Sequence, residues 1–327
     1  MTNLKTNFMG LELKNPVIIG SSGLTDSVEK IIKLEKAGAG AVILKSLFEE
    51  QILMEMGKDD KNSSHDYPEA HDYSRYYTKE KSTTDYLNLI KGAKEAVSIP
   101  IIASVNCTSS KEWSSFSKKI ENAGADALEI NISLLPSDIN VNSEENEQKY
   151  FDIIAEVRKN INIPIVLKMS RYSSGLAQLI KKLSWTKNLD AFVLFNRYYT
   201  PDIDLDKMEI TSSNMFSSPK ENSGTLRWIA LLSDKIPLPL VASTGIHDCN
   251  DLIKQLVAGA QAVEIVSTVY KNGNGRIGEI LHGLENWMEK NNHTSLDDFR
   301  GLLSHNKAKD AASFDRIQYM KYYSNNV

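Results

Sequence analysis

Short apolar runs, each long enough for one buried strand, recur along the chain with amphipathic stretches between them. The runs are NPVIIGSS (15–22), GAVILKS (40–46), PIIASVN (100–106), DALEINIS (126–133), PIVLKMS (164–170), DAFVLFN (190–196), PLVASTG (239–245) and QAVEIVS (261–267), eight in all. The spacing predicts helices near 25–37, 83–97, 111–123, 144–160, 173–185, 224–233 and 248–258, with a last one over 275–291. Near-continuous apolar strands alternating with helices mean a parallel sheet covered by helices. Eight such units favour closure into a (βα)8 barrel, the TIM-barrel architecture, over an open sheet.

The starts of the strands alternate as well. Odd-numbered strands follow Pro16, Pro100, Pro164 and Pro239, while even-numbered ones mostly follow AGAGAV (37–42), AGADAL (123–128) or AGAQAV (258–263). The sixth has only NLDAFV (188–193). Glycine ends a helix in the left-handed conformation, and proline starts a strand where no donor is needed.

Residues 48–82 and 197–222 break the spacing with long stretches after strands two and six, both on the side where barrel enzymes keep their active sites. Thr6–Lys14 resembles a hairpin turning near Gly10 that could plug the opposite end. No linker or low-complexity tract interrupts the chain, so residues 1–327 read as one domain.

Composition narrows the function. The 327 residues are 41% hydrophobic and 24% charged, with a formal net charge of −4, and show no basic excess for a nucleic acid. Cys107 and Cys249 lie far apart and imply no disulfide framework. No apolar run approaches the length of a membrane span, and the first residues lack the apolar core of a signal peptide. The expectation is a cytoplasmic protein, an enzyme or a binding protein.

Candidate chemistry gathers at the strand ends. Lys45 and Lys168 end VILK and IVLK, so each ammonium either points into the barrel mouth or snorkels to water. Asn106, Asn131 and Asn196 end strands too, where an amide can both donate to and accept from a planar ring or cap a loop. ASTG (242–245) and VST (266–268) leave the last two strands, where barrels often hold phosphate. No GxGxxG or P-loop pattern occurs. His65 and His71 match no common metal spacing and read as loop residues, and no metal site is expected. His247 stands beside the proposed phosphate loop or caps a helix. Tyr67, Tyr73, Tyr76, Tyr77, Tyr198 and Tyr199 either wall the mouth or pack the two long loops together. Arg75, Arg171 and Arg197 are candidates to hold an anion or to form surface ion pairs.

In this order and register the strand ends resemble the dihydroorotate dehydrogenase family, in particular its class 1 members. The likeness runs from the N-terminal hairpin to about Asn291. It implies bound FMN, approached by Ser22 and Gly23 after strand one and by Lys45 and Ser46 after strand two. It implies that Asn106 joins this polar ring, that Asn131 contacts flavin and substrate, and that Lys168 lies at the flavin N1 and O2 edge. Thr244, Gly245, Val266 and Ser267 fall at the phosphate-loop positions, and Asn196 and Arg197 at substrate positions. The implied activity is oxidation of dihydroorotate to orotate, a step of pyrimidine biosynthesis, or of a related small anionic cyclic substrate. A homodimer and an unidentified electron acceptor are implied as well; no iron–sulfur cysteine cluster is present.

The chain departs from the family at the substrate positions: the family's M-G-x-x-N loop is not recognisable in 48–82, Arg197 stands where a serine or threonine usually follows the sixth-strand asparagine, and the base position differs. After Asn-x-Ser the family has a catalytic cysteine or serine, then Pro-Asn; this chain reads Asn131-Ile132-Ser133-Leu134-Leu135-Pro136. Leu134 cannot take a proton, and Pro136 stands in place of a substrate asparagine. KSLFEEQ, LFNRYY and PDIDL resemble instead a divergent, dihydroorotate dehydrogenase-like group. Ser133 or a lid tyrosine would have to serve as base, although a one-residue offset on a strand faces the other way. Two other readings stand beside this one: a Schiff-base lyase using Lys45 or Lys168, and a flavin-binding protein without turnover.

Overall fold

The computed structural model describes residues 2–48, 83–107, 113–198, 200–212, 214–311 and 314. His65, His71, Arg75, Tyr67, Tyr73, Tyr76, Tyr77 and Tyr199 lie outside these, with most of the long segment after strand two. In chain order the elements are β1 (Thr6–Phe8), β2 (Leu11–Leu13), β3 (Val17–Ile19), α1 (Val28–Lys36), β4 (Ala41–Ile43), β5 (Leu47–Phe48), α2 (Thr83–Ala96), β6 (Ile101–Cys107), α3 (Trp113–Asn122), β7 (Ala127–Ile132), α4 (Ser143–Arg158) and β8 (Ile165–Met169). There follow α5 (Leu176–Trp185), β9 (Ala191–Leu194), β10 (Pro201–Asp204), β11 (Glu209–Ser212), α6 (Asn222–Leu232), β12 (Leu240–Ser243), α7 (Cys249–Ala258), β13 (Ala262–Ile265), α8 (Ser267–Asn272) and α9 (Gly275–Lys290).

Strands β3, β4, β6, β7, β8, β9, β12 and β13 pair in parallel, and β13 pairs back to β3, which closes the barrel. The alternating starts have a shared geometry. The carbonyls of Pro16, Pro100, Pro164 and Pro239 each accept from the even-numbered strand beside them: from Val263, Val42, Leu128 and Phe192 at 2.9, 3.1, 2.9 and 3.1 Å. Each proline thus keeps its carbonyl in the ladder at the first step of its strand. The three AGA glycines, Gly38, Gly124 and Gly259, have φ of 109°, 95° and 116°. Their helices stop there because a left-handed residue turns the chain under the barrel.

Side chains alternate in and out along each strand. Ile18, Ala41, Ile43, Ile102, Ala127, Val166, Ala191, Val193, Val241 and Ala262 form the inner cluster, and Phe8 and Leu13, each 1% exposed, pack into it. The β1–β2 hairpin is thus the plug, at the N-terminal ends of the strands, and Gln261 ties it down through Thr6 and the carbonyl of Asn7. A larger cluster lies between strands and helices, with Ile90, Ile154, Ile180, Leu252, Leu256 and Ile280.

The segment after strand six carries a feature its polar sequence concealed. β10 and β11 form an antiparallel hairpin, with Ile203 opposite Ile210 and both exposed. The helix or short turn expected after VST is the six-residue helix α8, which opens at Ser267, inside the run read as the end of strand eight. No described helix is long and apolar enough to cross a membrane.

Candidate active site at the C-terminal ends of the strands

The inward positions change character one step above the apolar layers. Gly20, Ser104, Glu129, Lys168, Ser243 and Glu264 follow Ile18, Ile102, Ala127, Val166, Val241 and Ala262 at the period-two spacing. Lys168 Nζ lies 2.6 Å from Glu264 Oε2 and 3.7 Å from Glu129 Oε1. All three groups are buried, at 8%, 2% and 0% exposure. Ser104 Oγ donates to Glu129 Oε1 at 3.1 Å, while Tyr86, on α2, donates to the Ser104 carbonyl and accepts from its N–H at 2.9 and 2.7 Å. The hydroxyls of Ser104, Ser46 and Ser21 then run in a chain, 2.8 and 2.9 Å apart, toward the rim.

Burial favours the neutral form of Glu129; Lys168 opposes this and Glu264 adds to it, so its carboxyl is pushed up to about 8. Burial also disfavours the Lys168 ammonium, but the two carboxyls outweigh that and hold it protonated well above the ordinary lysine range. An ammonium so held is a poor nucleophile, which argues against Schiff-base chemistry at Lys168.

Above this floor stand three sequence candidates on neighbouring strands. Asn106 pairs in register with Asn131, and Asn131 with Lys168. Asn106 Oδ1 is buried and has no partner among the described residues. Lys45 lies half-buried just past β4. Ser22 closes the turn after β3 through Gly20 and Leu24, and a Cβ at Gly23 would lie 2.8 Å from Tyr270 Oη.

Ser133 departs from the expected orientation. β7 ends at Ile132, so strand alternation no longer binds the next residue. The Ser133 hydroxyl accepts from Asn196 Nδ2 at 2.9 Å and approaches Asn131 Oδ1 at 3.4 Å. Asn131, Ser133 and Asn196 therefore form one polar cluster. Tyr198, its hydroxyl pushed up by burial, lies close to Ser170 and Ser133 but meets neither with hydrogen-bond geometry. Leu134 turns away from the cluster and lines a separate cavity of about 290 Å³ with Pro136, Tyr150 and Tyr172. Arg197 lines the cavities at this rim while its guanidinium pairs with Glu221 at 2.9 Å and donates to the carbonyls of Asn214, Met215 and Phe216. In this structure it fastens the loop before α6.

A cavity of about 240 Å³ opens above Lys168, bounded by Ser21, Asn196, Thr244, Gly245, Ile246, Val266 and Ser267. Thr244 and Gly245 have φ of 80° and 81°, and a Cβ at Gly245 would lie 2.2 Å from Asn222 N. Ser267 heads α8, and its Oγ accepts from Ser217 N at 3.0 Å. His247 Nε2 meets Ser217 Oγ at 3.0 Å, and Lys271 Nζ donates to the Ser217 carbonyl at 2.9 Å. Burial and then Lys271 hold the His247 imidazole below the ordinary histidine range. An adjoining cavity of about 230 Å³ shares Asn196, Arg197 and Thr244 and reaches Arg171, Tyr172 and Tyr198. Ser21, Ser104, Glu129, Glu264 and Ser217 belong to the site and were missed by sequence reasoning. For the two glutamates the signal was present, since each is a carboxylate between apolar residues inside a predicted strand, in DALEINIS (126–133) and QAVEIVS (261–267).

A closed barrel with a plugged base, and polar groups converging at the opposite rim, has the form of a (βα)8 enzyme. The family model described as dihydroorotate dehydrogenase matches residues 67–288, about two thirds of the chain. The chain belongs to the dihydroorotate dehydrogenase family and is by class an oxidoreductase. The catalytic subunit of dihydroorotate dehydrogenase B (NAD(+)) of Thermoplasma volcanium is 25% identical over 316 residues, covering 92% of this chain and 99% of that one. Its namesake in Pyrococcus furiosus is 24% identical over 308 residues, with 92% and 98% covered. That of Methanocaldococcus jannaschii is 24% identical over 311 residues, with 91% and 97% covered.

Proposed function

We propose that this chain is an FMN-dependent oxidoreductase that oxidises dihydroorotate or a closely related small, cyclic, anionic substrate. The observation that carries the reading is the row Asn106, Asn131 and Lys168 beside the cavity edged by Thr244, Gly245, Val266 and Ser267. That row offers amides and a fixed cation to one edge of a planar ring, and the orphaned Asn106 Oδ1 is an acceptor awaiting a donor. The left-handed turn at 244–245 and the start of α8 suit a phosphate at the far end. Ser22, Gly23, Lys45 and Ser46 would complete the cofactor site from strands one and two.

When bound, FMN supplies hydride-accepting redox chemistry. The protein's part is orientation, electrostatics and proton handling. Lys168 would stabilise negative charge developing at the ring edge beside it. Asn131 and Asn196 would hold the substrate, joined through the Ser133 hydroxyl. Ser133 is the proton-accepting group within reach, since Leu134 has no basic atom and faces another cavity. Serine is a weak base unless deprotonated, so turnover of dihydroorotate should be slow, or the natural substrate should have a more acidic C–H.

The relatives' names describe catalytic subunits linked to NAD(+). We carry over a separate electron-accepting partner on that basis, and a homodimer on the family resemblance. The test is the visible spectrum of the purified protein, followed by addition of dihydroorotate without oxygen. A flavin spectrum that bleaches supports the full reading. A flavin spectrum that persists keeps the cofactor, and moves the substrate elsewhere or leaves a binding protein without turnover. No flavin, even after FMN is supplied, overturns the reading.

A further inference from the structure

Under Lys168 the barrel holds more negative groups than positive ones. Glu129 and Glu264 share one ammonium, and all three are buried. Among the described residues the groups around the pair are hydroxyls and amides rather than a second cation: Ser104 and Asn106 on β6, Tyr86 behind Ser104, and Ser243 on β12. The inner cluster beneath is apolar, with Ile43 and Val193. Lys45 stands higher, past the end of β4. A net charge of −1 this deep would be costly.

The hydrogen-bond pattern points to how that charge is removed. One oxygen of each carboxyl is accounted for: Glu264 Oε2 by Lys168, and Glu129 Oε1 by Ser104. The other two, Glu129 Oε2 and Glu264 Oε1, are buried with no partner among the described residues. The two carboxyls converge on one cation, with Lys168 Nζ 2.6 Å from Glu264 Oε2 and 3.7 Å from Glu129 Oε1. A single proton shared by the pair makes one carboxyl a donor and the other its acceptor, and leaves the buried group with no net charge.

We propose that Glu129 and Glu264 hold one shared proton directly beneath Lys168, a proton store coupled to charge at the barrel mouth. The serine chain Ser104–Ser46–Ser21 links the store to the rim. The pairing rests on the geometry of this chain alone; its coupling to electrons rests on the flavin reading. Two electrons and one proton added to a bound flavin leave one negative charge beside Lys168. Above the midpoint of the pair, the emptied store takes one proton from water to balance that charge. Reoxidation sends the electrons to the acceptor and returns the proton to water.

The first experiment is infrared spectroscopy of the flavin-free protein across a pH titration, for wild type, Glu264→Gln and Glu129→Gln. The expected result is a protonated-carboxyl band that titrates as one proton in wild type and is absent in both variants. Each variant keeps one carboxylate against Lys168, so its floor is neutral without a proton, and thermal melts verify that it folds. Absence of the band in wild type overturns the proposal. So does its survival in Glu264→Gln, which would mean that Glu129 is protonated by burial alone. The second experiment is the pH dependence of the midpoint potential after FMN loading. Wild type should take up one more proton per two electrons than Glu264→Gln at pH above the midpoint of the pair. Equal slopes overturn the coupling. Failure to bind FMN strikes the flavin reading, while the infrared band still decides the store.

Discussion

Replacing Lys168 with methionine tests the buried charge balance most directly. The change keeps an unbranched side chain of similar length and removes the only cation in contact with Glu129 and Glu264 among the described residues. To stay uncharged, the variant floor must bind one proton more than wild type. Each pH unit above the ordinary glutamate value of 4.5 then costs about 1.4 kcal/mol for that proton. At about pH 7.5 this sums to roughly 4 kcal/mol, within the ~3–5 kcal/mol typical of breaking a buried ion pair. The sign follows from the raised carboxyl: its contribution is fully present below the unfolded value and is lost as pH rises. Urea unfolding of both proteins at about pH 5 and about pH 7.5 should therefore show a stability gap wider at the higher pH by roughly 3 kcal/mol. A gap that is the same at both pH values would refute the reasoning, because lost packing does not titrate.

Four further outcomes follow from the same coordinates. Wild type should lose stability as pH rises from 4.5 towards about 8, because the unfolded chain releases a proton that the folded Glu129 carboxyl keeps, and Glu264→Gln should flatten that slope in urea titrations. Gly245→Ala should abolish FMN retention, read from the flavin absorbance of the purified protein, because the new Cβ would meet Asn222 N at 2.2 Å in a left-handed turn. Phe8→Ala should lower unfolding stability by about 3–5 kcal/mol while leaving the flavin spectrum unchanged, since the plug lies at the other end of the barrel. Leu134→Cys should create or raise dihydroorotate oxidation if the missing base limits the rate; unchanged anaerobic bleaching would place the defect elsewhere, as in the outward course of Leu134.

The barrel was legible because its repeats are dictated by local chemistry. Proline before the four odd strands and Ala-Gly-Ala before three of the even ones mark seven of the eight strand starts, and the plug followed from one glycine between alternating residues. The strand ends were legible for the same reason: alternation carries Asn106, Asn131 and Lys168 to one rim. What stayed hidden depends on partners distant in sequence. Glu129 and Glu264 each sit in an apolar run, and only barrel closure brings them to one lysine. Arg197 read either as an anion ligand or as an ion-pair partner, because Glu221 and its carbonyl partners at 214–216 cannot be seen from composition. Ser133 was misjudged by carrying strand alternation one residue past the strand's end.

The vertical order of the barrel explains how a costly polar floor can persist. Buried charges stabilise poorly even when paired, so the ion group adds little to folding. Its position between apolar layers and the mouth limits the damage. Below it, Ile18, Ile102, Val166 and Val241 close over the plug residues Phe8 and Leu13, and keep water out from that side. Above it, the serine chain gives a hydrogen-bonded route to the rim. The close approach of Gly20 fixes Glu264 from the side, because a Cβ there would lie 3.3 Å from Glu264 Oε2 and 2.9 Å from Val266 Cγ2. A larger residue at position 20 would therefore push on the carboxylate and on the start of the phosphate loop together. Stability and chemistry are thus assigned to opposite ends of the same strands. Substitutions in the lower layers should change folding without touching proton exchange, and substitutions at Ser46 or Ser104 should do the reverse.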